Sequence, residues 1–212
     1  MTPVLLELPF RGRWLVQNSP ARRVPSHGTH LFGVTYAIDF VAVDADGRSA
    51  PWSWRSLVGA ESPEGFVGFG APILAPASGT VAIAHDGEPD HRARRSQLAL
   101  IPYALGQAQR AREGMYALAG NHVVVALSPG GPCVAVVHLR QGSVRVRVGD
   151  RVEIGTQLGE CGNSGNSTEP HVHVQVTDST DWPTARGLPL VFRGVGPDGS
   201  DGLPAERSVV SA

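Results

Sequence analysis

A glycine- and asparagine-rich turn followed by a short alternating strand is the most informative segment of this chain. It reads GECGNSGNSTEPHVHVQV and runs from Gly159 to Val176. Successive side chains of a strand point to opposite faces, so His171 and His173 share one face and the valines take the other. The valine face is the one that a β-protein buries. The pattern predicts a half-buried strand whose two histidines are either a surface pair on an edge strand or part of a functional site.

The rest of the chain also predicts a mainly β protein. It contains 26 glycines and 17 prolines, and only 17% of its residues are charged. Its short valine-rich segments are separated by turn residues, as in NHVVVAL and PCVAVVHL, which SPGG joins into a predicted hairpin. We expect one domain over residues 26–195, an N-terminal lead-in segment over 1–25 and a flexible tail over 196–212. Residues 88–119 are predicted to be a partly helical insertion.

Charge and hydropathy exclude several classes of partner. The 18 basic residues, all arginine and scattered along the chain, face 19 acidic ones, which gives a net charge of -1. This balance predicts no nucleic-acid partner. No apolar stretch approaches the roughly 20 residues of a membrane span. The N-terminus shows no secretory leader, so we expect a cytoplasmic protein, or one of the cell envelope if a leader has been removed.

The two cysteines, Cys133 and Cys161, are too few for a disulfide framework. We expect free thiols, and a single bridge between them stays open.

One carboxylate interrupts an apolar strand pattern. Asp39 lies within YAIDFVAV, where an ionised side chain is costly unless it is paired or bound to a metal. One hypothesis gives it an arginine partner, Arg22 or Arg23. The other gives it a metal ion shared with His27 or His30.

Histidines are placed where they can join this carboxylate. His138 lies where an apolar strand ends, as either a hydrogen-bonded core histidine or a residue that reaches a cleft. Imidazole and carboxylate groups are ligands that zinc prefers, and a catalytic zinc needs three protein ligands and one open position. The candidates for such a site are His27, His30, Asp39, His138, His171 and His173.

The order of these segments resembles that of the lysostaphin-type (LytM-like) zinc metallopeptidases. Between Ser26 and Val176 the resemblance is carried by HGTH, YAIDF, FGAPILAPASGTV, GNHVVVAL, VAVVHL, VRVGDRVEIGTQLGECGNSGNS and EPHVHVQV. It implies an antiparallel β-sheet fold, a β-sandwich or barrel-sandwich hybrid, with a groove over the metal. It also implies an endopeptidase that cleaves cross-links or stems of bacterial peptidoglycan, or another peptide substrate.

The resemblance further implies roles for individual residues. Zinc would be bound by an early histidine, by Asp39 and by His173, and His138 and His171 would be catalytic histidines that bind no metal. The family usually has a histidine four residues before the aspartate, where this chain has Thr35. The first ligand must therefore come from further back, and His27, which precedes a glycine, is favoured over His30.

Two other functions are consistent with the same sequence. A member of this fold that holds no metal would serve as a binding or regulatory module. VRVGDRVEIGTQLG also resembles the barrel-sandwich hybrids of biotinyl and lipoyl carriers and of sugar-phosphotransferase IIA proteins. The absence of lysine from the chain excludes the carriers, and a phosphohistidine protein using His138 remains.

Overall fold

The protein is built mainly from short β-strands. A computed structural model describes residues 2–52, 59–94 and 115–212. The strands in these residues are β1 (Val4–Leu6), β2 (Arg13–Gln17), β3 (Ile38–Ala42), β4 (Pro72–Leu74), β5 (Gly79–His85), β6 (Asn121–Ala126), β7 (Cys133–Leu139), β8 (Arg151–Val152), β9 (Gln157–Glu160), β10 (Val172–Thr177), β11 (Leu190–Phe192) and β12 (Val209–Ser211). Short 3₁₀ segments occur at Leu31–Tyr36, Pro63–Gly65 and Pro197–Gly199.

Eight strands form the central sheet, in the order β12-β2-β3-β10-β7-β6-β5-β8. Neighbouring strands in this sheet run antiparallel. The prediction of a mainly antiparallel β fold is therefore confirmed. The predicted hairpin is formed by β6 and β7.

One face of the central sheet carries the main hydrophobic core. Alternate residues such as Phe40, Val136 and Val174 are buried there. Two small sheets contribute to the same core, β1 paired with β11 and β4 paired with β9. Their buried side chains include Leu6, Phe192, Ile73 and Leu158. The opposite face of the large sheet carries polar residues and also a smaller apolar cluster, which includes Val137 and Trp182.

Both chain ends differ from the sequence-based expectation. Residues 1–25 are more than a lead-in, because β2 lies inside the central sheet between β12 and β3. Residues 196–212, expected to be a flexible tail, contain β12, which pairs with β2 and buries Val210. Three residues are too few to show a periodicity, but their pairing covers the backbone edge that β2 would otherwise expose.

The predicted insertion lies largely outside the described residues. Residues 95–114 are not described, and neither are residues 53–58, which include Trp54. The described parts of the insertion are residues 88–94 and a short helix, α1 (Met115–Ala119). Within the described ranges, no helix has the length and apolarity that crossing a bilayer requires.

Both cysteines are free and buried. Cys133 begins β7, and Cys161 belongs to the main core. Burial raises the pKa of the Cys161 thiol, which is consistent with a packing role. The expectation of free thiols is met.

A single row of residues crosses the polar face of the sheet. The register pairs Asp39 with His173, His173 with Val137, and Val137 with His122. His85 on β5 continues the row beyond His122. Strand pairing thus fixes the neighbours of the Asp39 carboxylate across the sheet.

The pairing of β12 predicts that the two adjacent valines will respond differently to a charge. Val210 is 9% exposed and packs in the core, whereas Val209 is 40% exposed. We expect Val210→Asp to lower the free energy of unfolding by roughly 3 kcal/mol, from lost apolar burial and an unpaired charge. Val209→Asp should change it by less than about 1 kcal/mol. Urea unfolding of both variants measures this difference, and equal, small effects would show that the C-terminus does not pair with β2.

Candidate metal centre and active site

The centre of the candidate site is the Asp39 carboxylate. Asp39 lies on β3, between core residues Ile38 and Phe40, and its side chain points to the polar face. It is 5% exposed. Its Oδ1 lies 2.8 Å from His173 Nδ1, and its Oδ2 lies 3.0 Å from His27 Nε2. These are the partners that a buried carboxylate in a strand requires.

His27 reaches this carboxylate from the loop between β2 and β3. Its ring meets the His173 ring edge-on, with 4.8 Å between ring centroids. The loop is held by Ser26, whose backbone N–H donates to Thr35 O over 3.0 Å. Gly28 follows with φ of 76°, a conformation that glycine adopts without strain.

The structure separates His27 from the other candidate, His30. His30 is exposed, and its Nδ1 lies 3.1 Å from the hydroxyl of Thr35. Only His27 joins the group formed with Asp39 and His173, in which one ligand atom from each residue lies within 4.8 Å of the others.

The arginines proposed as partners of Asp39 have other contacts. Arg22 pairs with Glu206 at 3.4 Å, and Arg23 Nε donates to Ser26 O over 3.1 Å.

The hydrogen bond at His173 Nε2, the ring nitrogen that faces away from Asp39, leaves Nδ1 of the neutral ring without a proton. Gln175 Nε2 donates to Phe32 O over 3.0 Å, which turns the amide oxygen of Gln175 toward His173 Nε2 at 3.0 Å. His173 must then donate from Nε2, so in the neutral ring Nδ1 carries a lone pair. That lone pair faces Asp39 Oδ1, and two acceptors at 2.8 Å repel unless a proton or a cation lies between them.

His27 Nδ1, the ring nitrogen that faces away from Asp39, is also hydrogen-bonded. Ser26 Oγ lies 3.0 Å from His27 Nδ1 and 3.2 Å from Val34 O. When the hydroxyl proton goes to Val34 O, the same oxygen accepts from His27 Nδ1–H. His27 Nε2 is then the atom free to bind. In their neutral forms, His27 and His173 therefore each turn one nitrogen lone pair toward the Asp39 carboxylate, a donor set that fits a zinc ion.

The electrostatics of the group reflect its burial. Burial alone raises the pKa of the Asp39 carboxyl, but His27 and His173 together hold it well below its usual range. Burial lowers the pKa of His173 more than Asp39 raises it. For His27 burial also acts to lower the pKa, yet the charge and hydrogen bond of Asp39 outweigh it and the pKa is raised. Asp39 is thus an anion and His173 favours its neutral, metal-binding form.

A β-bulge brings His138 into the same site. Val134 and Val136 alternate into the core, and a regular strand would send His138 there as well. The register instead pairs Leu139 with Asn121 and Val137 with His122, which leaves His138 as the extra residue. Its φ of 65° turns the side chain to the polar face, and Leu139 takes the core position.

Side chains from two segments satisfy the backbone at this bulge. Leu139 O accepts from Asn121 Nδ2 over 3.0 Å and from Ser164 Oγ over 2.8 Å. Ser164 O, in turn, accepts from His138 Nδ1 over 2.9 Å. Asn121, for which the sequence suggests no role, therefore supports the bulge. The GNSGNS segment orients His138 as well as leading into β10.

His171 completes the site just before β10 begins. Its Nδ1 donates to Glu169 O over 2.8 Å and is 2.9 Å from Ser167 Oγ. Its Nε2 lies 3.8 Å from Asp39 Oδ1. The rings of His171 and His138 are 4.7 Å apart. Burial, with the charges of His171 and His173, holds the pKa of His138 well below its usual range, so His138 is neutral at pH 7.

Three of these segments use a backbone conformation that is rare outside glycine. In the described part of the chain, five non-glycine residues have positive φ, and three of them border the site: Asn18 (53°), Phe32 (59°) and His138 (65°). Such residues cost about 1–3 kcal/mol each and cluster at functional sites. Asn18 Nδ2 donates to Asp39 Oδ2 over 2.7 Å, and Phe32 supplies the carbonyl that orients Gln175.

A groove of about 430 Å³ lies over these residues. Its lining includes polar residues such as Gln17, Asn18 and Thr29 and apolar residues such as Leu118, Val137 and Trp182. Asp39 borders it together with His27, His138, His171 and His173. A substrate in this groove would therefore contact the whole group.

Sequence reasoning missed the residues that orient this group, namely Ser26, Asn18, Ser164 and Gln175. Only Gln175 had a signal, because it lies two residues after His173 and so shares its strand face.

Comparison with known proteins agrees with the motif resemblance. Residues 102–184 match the family model of Peptidase family M23. The match covers less than half of the chain, including the segments of His138, His171 and His173 but not those of His27 and Asp39. The predicted resemblance to lysostaphin-type peptidases is confirmed by this match, which supports a peptidase. A search among curated proteins found no significant match.

Several solved structures align with most of the chain at low identity. The catalytic domain of a mutant of the prophage-encoded M23 protein EnpA from Enterococcus faecalis is 18% identical, covering 72% of this chain and 73% of that one, with a TM-score of 0.41. The catalytic domain of the antimicrobial peptidase lysostaphin from Staphylococcus simulans is 20% identical over 72% and 74%, with a TM-score of 0.40. The deep-sea M23 metalloprotease pseudoalterin is 16% identical over 82% and 71%, with a TM-score of 0.42. We draw no conclusion about function from structural similarities with such low sequence identities and TM-scores.

Proposed function

We propose that this protein is a zinc-dependent endopeptidase that hydrolyses peptide bonds of bacterial peptidoglycan. The observation that carries the proposal is the group of His27, Asp39 and His173, whose ligand atoms lie within 4.8 Å of one another. The peptidoglycan substrate is supported by the motif resemblance between Ser26 and Val176.

The three residues would hold zinc through His27 Nε2, the Asp39 carboxylate and His173 Nδ1. Zinc in such a site supplies a Lewis acid that lowers the pKa of water toward about 7. The Asp39 anion offsets part of the charge of the ion. The hydrogen bond that Asn18 Nδ2 donates to Asp39 Oδ2 would hold the carboxylate in place beside the metal.

His171 is the proposed general base. Its Nδ1–H is held by Glu169 O, so Nε2 carries the lone pair and faces the metal group, 3.8 Å from Asp39 Oδ1. Nε2 takes a proton from the attacking water as the water oxygen bonds to the carbonyl carbon. The same proton then passes to the leaving nitrogen as the C–N bond breaks.

His138 is proposed to hold the nucleophile. Its Nδ1–H is directed to Ser164 O, so the Nε2 of the neutral ring accepts a hydrogen bond and cannot donate one. An acceptor can orient a water molecule, whereas an oxyanion needs a donor. This tautomer of His138 therefore favours positioning of the attacking water over stabilisation of the oxyanion. The burial of His138, at 6% exposure, argues against the phosphocarrier alternative, which needs an accessible ring.

The proposed ligand set is tested by comparing the two loop histidines. After zinc loading and dialysis, we expect one zinc per chain in the wild type and in His30→Ala. His27→Ala should lower the zinc affinity by more than roughly 10–100-fold, which is the usual cost of removing a residue that only hydrogen-bonds to a ligand. Elemental analysis and competition with a chromogenic chelator measure this. Zinc loss in His30→Ala but not in His27→Ala would reverse the assignment, and no zinc in the wild type would favour the metal-free binding module.

The proposed reaction is tested by digestion of purified muropeptides followed by mass analysis. We expect the zinc-loaded wild type to cleave a peptide bond and a chelator to abolish cleavage. His171→Ala should lower the rate by roughly 10²–10⁴-fold, the usual contribution of a general base. His30→Ala is the matched control and should retain the wild-type rate. Equal rates for wild type and His171→Ala would remove His171 from the base role, and intact muropeptides would contradict the substrate assignment.

A further inference from the structure

We propose that Gln175 is a positioning residue, which keeps the proton of His173 on Nε2 and thereby reserves Nδ1 for the metal. This inference rests on the proposed zinc site and goes beyond it, because Gln175 touches neither metal nor substrate in that proposal. It is carried by a chain of hydrogen bonds that runs from a strained loop through Gln175 to His173.

The carbonyl oxygen of Phe32 determines which group donates in each of these hydrogen bonds. Phe32 O can only accept, so the Gln175 atom 3.0 Å from it is the amide nitrogen. The amide oxygen of Gln175 is then fixed toward His173 Nε2, also at 3.0 Å. An amide oxygen has no proton to give, so His173 must donate. One carbonyl outside the site thus determines which nitrogen of His173 carries hydrogen.

Packing prevents the amide from turning over. Gln175 is 3% exposed on β10. Phe32, which supplies the carbonyl, and Gly33 both have positive φ, so the loop bends back over the strand. A Cβ on Gly33 would lie 2.4 Å from Thr177 Cγ2 and 3.5 Å from Gln175 Nε2. The loop and the strand are therefore in close contact, and the left-handed backbone at Phe32 has a use: it aims a carbonyl at Gln175.

Without the Gln175 oxygen, the ring proton of neutral His173 would favour Nδ1 over Nε2. His173 Nδ1 lies 2.8 Å from Asp39 Oδ1, and a proton there would make a charge-assisted hydrogen bond to a buried anion. Zinc would then have to displace that proton, because a metal binds the deprotonated nitrogen. Loss of the Gln175 oxygen should weaken zinc binding even though every proposed ligand remains.

The chain offers a matched control two residues further along the same face. Thr177 is fully buried, and its hydroxyl donates to Ser179 O over 2.8 Å, away from the metal group. Thr177→Val removes a buried hydrogen bond from the same strand without touching His173. A purely structural role for Gln175 predicts equal effects of Gln175→Leu and Thr177→Val.

The test measures zinc affinity by chelator competition, starting from metal-free protein. We expect Gln175→Leu to weaken zinc binding about 10–100-fold, the range for loss of an outer hydrogen-bond partner. Thr177→Val, which leaves the hydrogen bonds of His173 intact, should stay close to the wild type. The visible spectrum of the cobalt-loaded protein should change in Gln175→Leu and not in Thr177→Val. Unchanged affinity in Gln175→Leu, or an equal loss in Thr177→Val, would overturn the proposal.

A second measurement needs no variant and no metal. The ¹⁵N shifts of the histidines in metal-free wild-type protein at pH 7.5 report where each ring is protonated. We expect a proton on Nε2 of His173, and a proton on Nδ1 alone would overturn the proposal even if zinc binds. Failure of the wild type to bind zinc would instead contradict the proposed function, and the location of the proton would still decide the role of Gln175.

Discussion

The burial of one carboxylate among β-strands is the constraint on which the site depends. Asp39 lies in a strand whose neighbouring residues form the core, and it is almost removed from solvent. An anion in that position needs positive or hydrogen-donating partners. Strand register supplies His173, a loop supplies His27, and Asn18 supplies an amide. His27 and His173 are also the residues that would hold the proposed zinc ion together with Asp39.

Irregular backbone provides the groups that regular strands cannot. Alternation along β7 would place His138 in the core, and one extra residue at the bulge reverses that direction. Positive φ at Phe32 aims a carbonyl at Gln175, and positive φ at Asn18 accompanies a hydrogen bond to Asp39. The regular sheet determines the spacing of the site, and these exceptions orient its side chains.

The parts of the site that follow a period could be predicted from sequence, and the others could not. The shared face of His171 and His173 and the inward Asp39 come from simple alternation, and the structure brings the three together. The loop between β2 and β3 has no period, so sequence alone favoured His27 over His30 only weakly, whereas the structure separates them clearly. The bulge at His138 has no local signature, because the valines before it continue the strand pattern. The pairing of the C-terminal residues was missed because a three-residue strand shows no alternation.

The central claim is that the inward lone pairs of His27 and His173 and the Asp39 carboxylate form one zinc site. The most direct test is a crystal of the zinc-loaded protein, with diffraction data collected on both sides of the zinc absorption edge. The account predicts a single strong anomalous peak at about 2.0–2.2 Å from His27 Nε2, an Asp39 oxygen and His173 Nδ1. A peak that includes His30 in place of His27, or no peak beside Asp39, would contradict it.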